Sequence, residues 1–86
     1  MLRKISPAQC RAARAILEMT QPRLGQIANL GLSTVVDFEK SRRQVSDEAI
    51  RAIQMALERS GVEFIDENGG GAGVRLRKRI QSTKRS

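Results

Sequence analysis

The sequence predicts a mainly α-helical domain of four to five helices, followed by a C-terminal β-hairpin and a basic, disordered tail. Over residues 6–60 the apolar side chains recur every three or four positions, which is the period of helices that bury one face. Beyond Gly61 the apolar period falls to two, as in strands, and residues 78–86 are basic with almost no core-forming side chain. The chain therefore divides into a flexible N-terminus (1–5), a helical domain (6–60), a hairpin extension (61–77) and the tail (78–86).

The composition argues against most catalytic and metal chemistry. The chain has 86 residues, enough for one small domain with a single modest core. It has no His and one Cys, so we expect no metal site, no disulfide and no His-based catalysis, and we interpret Cys10 as a buried structural thiol. No nucleophile is paired with a base. We predict that the protein is not an enzyme and uses no cofactor and no small-molecule ligand.

The sequence shows no sign of a targeting or membrane segment. Residues 1–10 lack an apolar run of signal-peptide length, and no apolar stretch is long enough to cross a bilayer. A single free thiol also suits a reducing compartment. We expect a soluble cytoplasmic protein without a membrane partner.

The positive charge is concentrated at the C-terminus. The formal net charge is +7, which favours a polyanionic partner. From Arg75 onward there are six basic residues and no acidic one, whereas the preceding part of the chain has ten basic residues against nine acidic ones. Residues 1–74 are thus nearly neutral, and most of the net positive charge lies in the C-terminal segment that begins at Arg75.

The first helix follows a strong start signal. Ser6 is the expected N-cap, and Pro7 occupies the first helical position, where its missing N–H costs nothing. We predict a helix over residues 7–19 with an inner stripe of four side chains. These are Cys10, Ala13, Ile16 and Leu17.

A second start signal follows a predicted loop over residues 41–44. Ser46 is the expected N-cap, and Asp47 and Glu48 place negative charge at the positive end of the helix dipole. The helix ends before residues 60–61. Its predicted inner face consists of Ala49, Ile50, Ile53, Met55, Ala56 and Leu57.

Residues 20–39 predict two short helices joined by a tight turn. Thr20 is the expected cap of the first helix, and the second runs from about Leu32 to Lys40. Their apolar side chains have the spacing that gives each helix one inner face. These side chains are Leu24, Ile27 and Ala28 in the first helix, and Val35 and Phe38 in the second.

The turn between these two helices has suitable residues. Asn29 readily adopts the left-handed conformation at a helix C-terminus, and Gly31 permits any bend of the backbone. Gly25 follows Leu24, where a missing side chain lets the two backbones approach closely. Together these features predict a helix-turn-helix motif.

The C-terminal segment predicts a hairpin with a glycine-rich loop. Residues 62–65 and 74–77 are the expected strands, and residues 66–73 are the loop. A phosphate-binding loop is the alternative for the glycine cluster, but neither a GK[ST] motif nor a helix follows it. Two strands alone are marginal in water, so the hairpin must pack on the helices or pair with the edge of another chain. Symmetric edge pairing predicts a homodimer.

The stretch from residue 6 to residue 60 resembles the small lambda-repressor-like, or XRE-type, helix-turn-helix transcriptional regulators. The resemblance rests on Gln21, on the pair Leu24-Gly25, on the turn Asn29-Leu30-Gly31, and on Glu39-Lys40-Ser41. The family also commonly pairs an Arg of its first helix with a Glu late in the recognition helix. Arg14 and Glu39 occupy these places, 25 positions apart, and the resemblance implies that they form a structural ion pair.

The resemblance implies a sequence-specific regulator of transcription, a repressor or autoregulator, that binds double-stranded DNA with helix 32–40 in the major groove. The residues implied to contact bases are Leu32, Ser33, Thr34 and Asp37. The residues implied to contact phosphates are Thr20, Gln21, Lys40, Arg42 and Arg43. In the tail, Arg77, Lys78 and Arg79 are the candidates for nonspecific contact with DNA.

Each of these assignments has a simpler alternative. Ser33 and Thr34 fit a solvated helix start, Arg42 and Arg43 fit a solvated loop, and the tail fits a generic basic appendage. The whole domain also fits a protein-interaction module, such as an antiactivator or an antitoxin-like partner. In that case Leu32, Val36 and Asp37 would contact a protein partner rather than bases.

Overall fold

The computed structural model describes residues 4–67 and 69–77, and within them the protein is mainly helical with one small antiparallel hairpin. The elements in chain order are α1 (Pro7–Leu17), α2 (Gln21–Ala28), α3 (Leu32–Lys40), α4 (Asp47–Arg59), β1 (Val62–Ile65) and β2 (Gly73–Leu76). The mainly α-helical class with a C-terminal hairpin is therefore confirmed. The predictions for residues 1–3 and for the tail (78–86) lie outside the described residues.

Serine and threonine caps start three of the helices where the sequence predicts them. Ser6 accepts a hydrogen bond from the backbone N–H of Gln9, while the Gln9 side chain accepts one from the Ser6 N–H, which completes a capping box. Thr20 accepts from the N–H of Arg23 and Ser46 from that of Ala49. These caps satisfy amide groups that have no partner inside the helix.

Left-handed residues end the first three helices. Asn29 has φ 62° and ψ 45°, as predicted from its side chain. Glu18 and Ser41 also have φ 55°, and Glu18 ends α1 at Leu17, two residues earlier than predicted. The helix therefore stops at a change of backbone conformation that the apolar pattern does not reveal.

The core lies where the four helices and the hairpin meet. Leu24 of α2, Val35 of α3 and Ile53 of α4 are completely buried, as the predicted inner faces require. α2 packs against both α3 and α4. Burial of these aliphatic side chains supplies the main driving force for folding.

Three predictions about burial are wrong. Ile16 and Met55 were expected on inner faces, yet they are 38% and 46% exposed because α1 and α4 turn other side chains of their stripes toward the core. Ile5 was expected in a flexible lead-in, yet it is only 4% exposed. The preceding residue, Lys4, forms an ion pair with Asp47 at 2.8 Å. The ordered body of the protein thus begins before the first helix.

The hairpin packs on the helical domain of its own chain. Val62 pairs with Leu76 and Phe64 with Val74 in antiparallel register, and Val62 and Phe64 are buried. The strands contact α1 and α4. Of the two arrangements considered from the sequence, packing on the helices is therefore present within one chain.

The side chain of Gln9 fastens the hairpin to α1. Its Nε2 donates to the carbonyl oxygens of Gly73 at 2.9 Å and Ile65 at 3.4 Å. Gln9 is 8% exposed, so these hydrogen bonds are largely shielded from water. The sequence does not predict this contact, because it joins residues far apart in the chain.

Candidate nucleic-acid interface

α2 and the turn after it meet at Gly25. The N–H of Leu30 donates to the carbonyl of Gly25 at 2.8 Å. A Cβ built on Gly25 would lie 2.9 Å from the carbonyl oxygen of Leu30, closer than real Cβ contacts come. A close approach is therefore present at this residue, but its partner is the backbone of the turn, and not that of α3 as predicted.

α3 presents its first turn to solvent and buries its middle. Leu32 is 48% exposed and Ser33 is exposed, whereas Val35 and Phe38 belong to the core. Thr34 is half-buried. The N-cap is Gly31, so the first turn of α3 has no side-chain cap hydrogen bond. Three of the four predicted base-contacting residues thus lie at an open helix start.

The fourth, Asp37, is paired with an arginine that was predicted to contact phosphate. Arg43 Nε donates to Asp37 Oδ2 at 2.8 Å. The side chain of Asp37 is 20% exposed and that of Arg43 is 52% exposed. Asp37, a candidate for contact with bases, and Arg43, a candidate for contact with phosphates, are therefore paired with each other in the free protein.

Glu39 lies at the centre of a buried polar cluster formed with Arg14, Gln21 and Cys10. Its side chain is 1% exposed. Arg14 donates to it through Nε at 2.6 Å and Nη2 at 2.8 Å, so the ion pair expected from the resemblance is present and bidentate. The Gln21 amide donates to Glu39 at 2.9 Å and the Cys10 thiol at 3.1 Å. This cluster links α1, the start of α2 and the end of α3.

The surroundings of Glu39 determine its protonation. Burial raises the pKa of the Glu39 carboxyl, but hydrogen bonds from Arg14, Cys10 and Gln21 outweigh this effect and hold the pKa below its ordinary value. The pKa of the Cys10 thiol is raised by burial and by its hydrogen bond to Glu39. The carboxyl is thus ionised and the thiol protonated at neutral pH, as expected for structural groups.

The candidate phosphate contacts differ in availability. Lys40 and Arg42 are exposed, and within residues 4–67 and 69–77 their side chains form no hydrogen bond or ion pair. Thr20 is exposed and uses its hydroxyl as the cap of α2. The side chain of Gln21 is held by Glu39, so its backbone N–H at the start of α2 is the group that remains for an anion.

Arg77 is held on the body of the protein. Its guanidinium donates to the carbonyl oxygen of Glu58, in the last turn of α4, and to that of Val62 at 3.2 Å. The first of these bonds provides a donor to a carbonyl group at the end of α4, and the second joins Arg77 to the start of β1. Lys78 and Arg79, the other candidates for nonspecific contact, lie outside the described residues.

Sequence reasoning missed several polar contacts around this surface. It named Cys10 as a buried thiol and Gln21 as a phosphate contact, but it missed the bonds of both to Glu39. It also missed Arg11, whose side chain donates to the backbone carbonyl of Glu39 at 2.5 Å. The only available signal is that Cys10 and Arg14 lie four positions apart and so share one face of α1. Spacing alone does not show that the carboxyl of Glu39 lies opposite them.

Two further features bear on the possible partners. Throughout the described part of the chain, every helix is too short or too polar to cross a membrane. The same residues contain no group of three or more His, Cys, Asp or Glu side chains placed to hold a metal ion.

No protein-family model matches this chain, and no curated protein matches it either.

Proposed function

We propose that the protein is a sequence-specific DNA-binding regulator of transcription that inserts the start of α3 into the major groove. It would act by occupying an operator, as a repressor or autoregulator in the cytoplasm, with no chemistry of its own. Ser33 and Thr34 would bond to base edges, and Leu32 would pack on a thymine methyl group.

The observation that carries this proposal is the uneven exposure of α3. α1 and α4 each leave one large apolar side chain exposed as well, Ile16 and Met55, but in α3 the exposed residue, Leu32 at 48%, lies in the first turn of the helix. Ser33 beside it is also exposed. The N-terminal residues of a recognition helix are the ones that reach base edges.

The placement of the basic residues supports the same orientation. Glu39 links the start of α2 to the end of α3 through Gln21, so the open N–H groups of α2 lie at the same end of the motif as Lys40. Arg42 follows two residues later and is exposed. Amides at a helix start and basic side chains together suit a phosphate backbone.

The decisive test is a selection from random duplex DNA at near-physiological salt, followed by affinity measurement on the enriched duplex. We expect one sequence to be enriched, and the combined variant Ser33→Ala plus Thr34→Ala to lose about 10- to 100-fold in affinity for it. Ala12→Ser, which adds one hydroxyl at an exposed position of α1, is the matched control and should bind like the parent protein. Enrichment of no sequence, or equal binding by all three proteins, would contradict the proposal.

We also propose that the protein is a homodimer on DNA. The hairpin does not need a second chain for its stability, because it packs on α1 and α4. The remaining argument is that the hairpin has only two strands, so its outer edges still offer backbone groups for pairing. Sedimentation should show a dimer at tens of micromolar, and a monomer alone at that concentration would contradict it.

A protein-interaction module is the second candidate. A groove of about 480 Å³ lies between the start of α3 and the start of α4, and it is lined by Leu30, Thr34 and Ala49 among others. This groove, and separately the exposed Leu32 in the first turn of α3, suit a protein partner. If no duplex is enriched in the selection, and Leu32→Ala abolishes capture of a specific protein, this function replaces the first.

A further inference from the structure

The basic residues at and just after the end of α3 are of two kinds: one is paired with an acidic side chain, and the others are not. Arg43 is engaged with Asp37 at 2.8 Å. Lys40 and Arg42 have no such partner within the described residues. A phosphate approaching this surface therefore meets two free cations and one that is already neutralised.

The carboxylate itself presents a problem for any DNA-binding surface. A bare Asp37 on the recognition helix would face an array of phosphates, and like charges repel. While Arg43 remains on it, the repulsion is compensated locally. When Arg43 moves to a phosphate, the carboxylate needs another donor, and the exocyclic amine of cytosine, the usual base partner of an aspartate, supplies one.

We propose that Asp37 and Arg43 form an exchange pair that sets sequence specificity, an inference that rests on the proposed DNA-binding function. On DNA without a suitably placed cytosine, the pair stays closed and Arg43 contributes nothing to phosphate binding. On the cognate sequence, the cytosine amine takes over Asp37 and Arg43 transfers to the backbone. Exposed ion pairs are individually weak, so a phosphate can compete for Arg43.

The experiment measures the affinity of four proteins for a random-sequence 20-base-pair duplex: the parent, Asp37→Asn, Arg43→Gln and the double variant. We expect Asp37→Asn to bind about three- to tenfold more tightly at low salt, because Arg43 is released for one phosphate contact. Arg43→Gln alone should weaken binding, because it leaves the Asp37 carboxylate uncompensated beside the phosphates. In the Arg43→Gln background, Asp37→Asn relieves that repulsion but adds no phosphate contact, so it should leave the salt slope unchanged.

Salt dependence provides a second readout. One additional phosphate contact steepens the slope of log K against log salt by about 0.9, so the gain from Asp37→Asn should shrink about threefold between 50 and 200 mM salt. On the duplex enriched by the parent protein, Asp37→Asn should lose its preference for cytosine at a single position. Circular dichroism on each variant confirms that the helices are retained.

Two control variants separate exchange from a simple change in net charge. Glu48→Gln removes one exposed acid from α4, and it should not steepen the salt slope. Arg42→Gln should weaken DNA binding by the same factor in the parent protein and in the Asp37→Asn variant. If Asp37→Asn does not steepen the salt slope, or steepens it equally with and without Arg43, release of Arg43 is not the cause and the exchange pair is wrong. If the parent protein binds no duplex at all, the proposed function fails and the exchange pair fails with it.

Discussion

At Gly25 the backbone of α2 approaches the following turn so closely that a methyl group has no room. A new Cβ would meet the Leu30 carbonyl oxygen at 2.9 Å, and that oxygen is backbone, which cannot rotate away. Alanine is a better helix former than glycine, but here the clash dominates. We predict that Gly25→Ala lowers the free energy of unfolding by about 1–2 kcal/mol, as measured by urea denaturation.

Gly70 is the matched control for this substitution. No atom lies within 4 Å of a Cβ built there, and its φ is not in the left-handed region. Gly70→Ala should leave the free energy of unfolding unchanged or raise it by up to about 1 kcal/mol, because alanine restricts the unfolded chain. Equal losses at the two glycines would show that the close contact is not the cause.

Glu39 should be the most costly polar residue to neutralise. Glu39→Gln keeps the shape but leaves Arg14, whose side chain is 21% exposed, without its carboxylate. We predict a loss of about 3 kcal/mol in the free energy of unfolding at pH 7. The loss should be measured by urea denaturation.

The same variant has a predicted pH dependence. Because folding lowers the pKa of Glu39, its ionisation stabilises the fold above the pKa of the unfolded chain, and this stabilisation disappears as pH falls through the folded pKa. The difference between the parent and Glu39→Gln should therefore be largest near neutral pH and shrink in acid. Glu67→Gln at an exposed site is the control and should show a small difference at every pH.

The residue scale shows what sequence can and cannot predict. Arg14 and Glu39 were matched through a family pattern, and the pair is present. The thiol of Cys10 and the amide of Gln21 on the same carboxylate were not predicted, because side-chain contacts between elements depend on the packing of all of them. The pairing of Asp37 with Arg43 was missed for the same reason.

Among the elements, the hairpin depends on α1 through one side chain. Replacing the Gln9 amide with a leucine of similar size removes the hydrogen bonds to Gly73 and Ile65 and leaves partly buried carbonyls without that donor. We predict that Gln9→Leu lowers the free energy of unfolding by about 2 kcal/mol and the thermal midpoint by roughly 10 °C. Calorimetry measures both quantities.

Gln54 provides the comparison for Gln9. It is half-buried, whereas Gln9 is buried, and among the described residues its side chain bonds to Glu58, one turn along the same helix, at 3.3 Å. Gln54→Leu should change the thermal midpoint by only a few degrees. A similar loss in the two variants would mean that the contact between α1 and the hairpin is unimportant.

Element boundaries were more predictable than element contacts. The start signals at Ser6 and Ser46 and the strand at residues 62–65 agree with the structure, since caps and alternation act locally. Ile16 and Met55 were misplaced because each lies near the edge of its helix's apolar stripe, where the choice between core and solvent depends on neighbouring elements. Local patterns contain no information on that choice.

For the whole molecule, the division of charge predicts separate roles for the body and the tail. A chain truncated after Arg77 keeps the guanidinium contacts at the end of α4 but loses Lys78, Arg79 and the later basic residues. If the protein binds DNA, truncation should reduce the salt slope by about 0.9 for each tail cation that contacts a phosphate. The sequence preference should stay the same, as measured by fluorescence anisotropy.

The control for truncation removes charge from the body instead. Arg51 and Arg59 lie on the exposed side of α4, and replacing both with Gln should leave the salt slope unchanged. A truncated chain that loses its sequence preference would show that the tail contacts bases as well as phosphates.

The two-ended contact of Gln9 also has a kinetic consequence. One end of its amide accepts from the N–H of Ser6 at the start of α1, and the other donates to Ile65 and Gly73, 56 and 64 positions away. Fraying of the helix start therefore loosens the hairpin, and opening of the hairpin loosens the helix start. In hydrogen exchange, the first amides of α1 and those of the two strands should then be released by one shared opening event, as parts of a single cooperative unit.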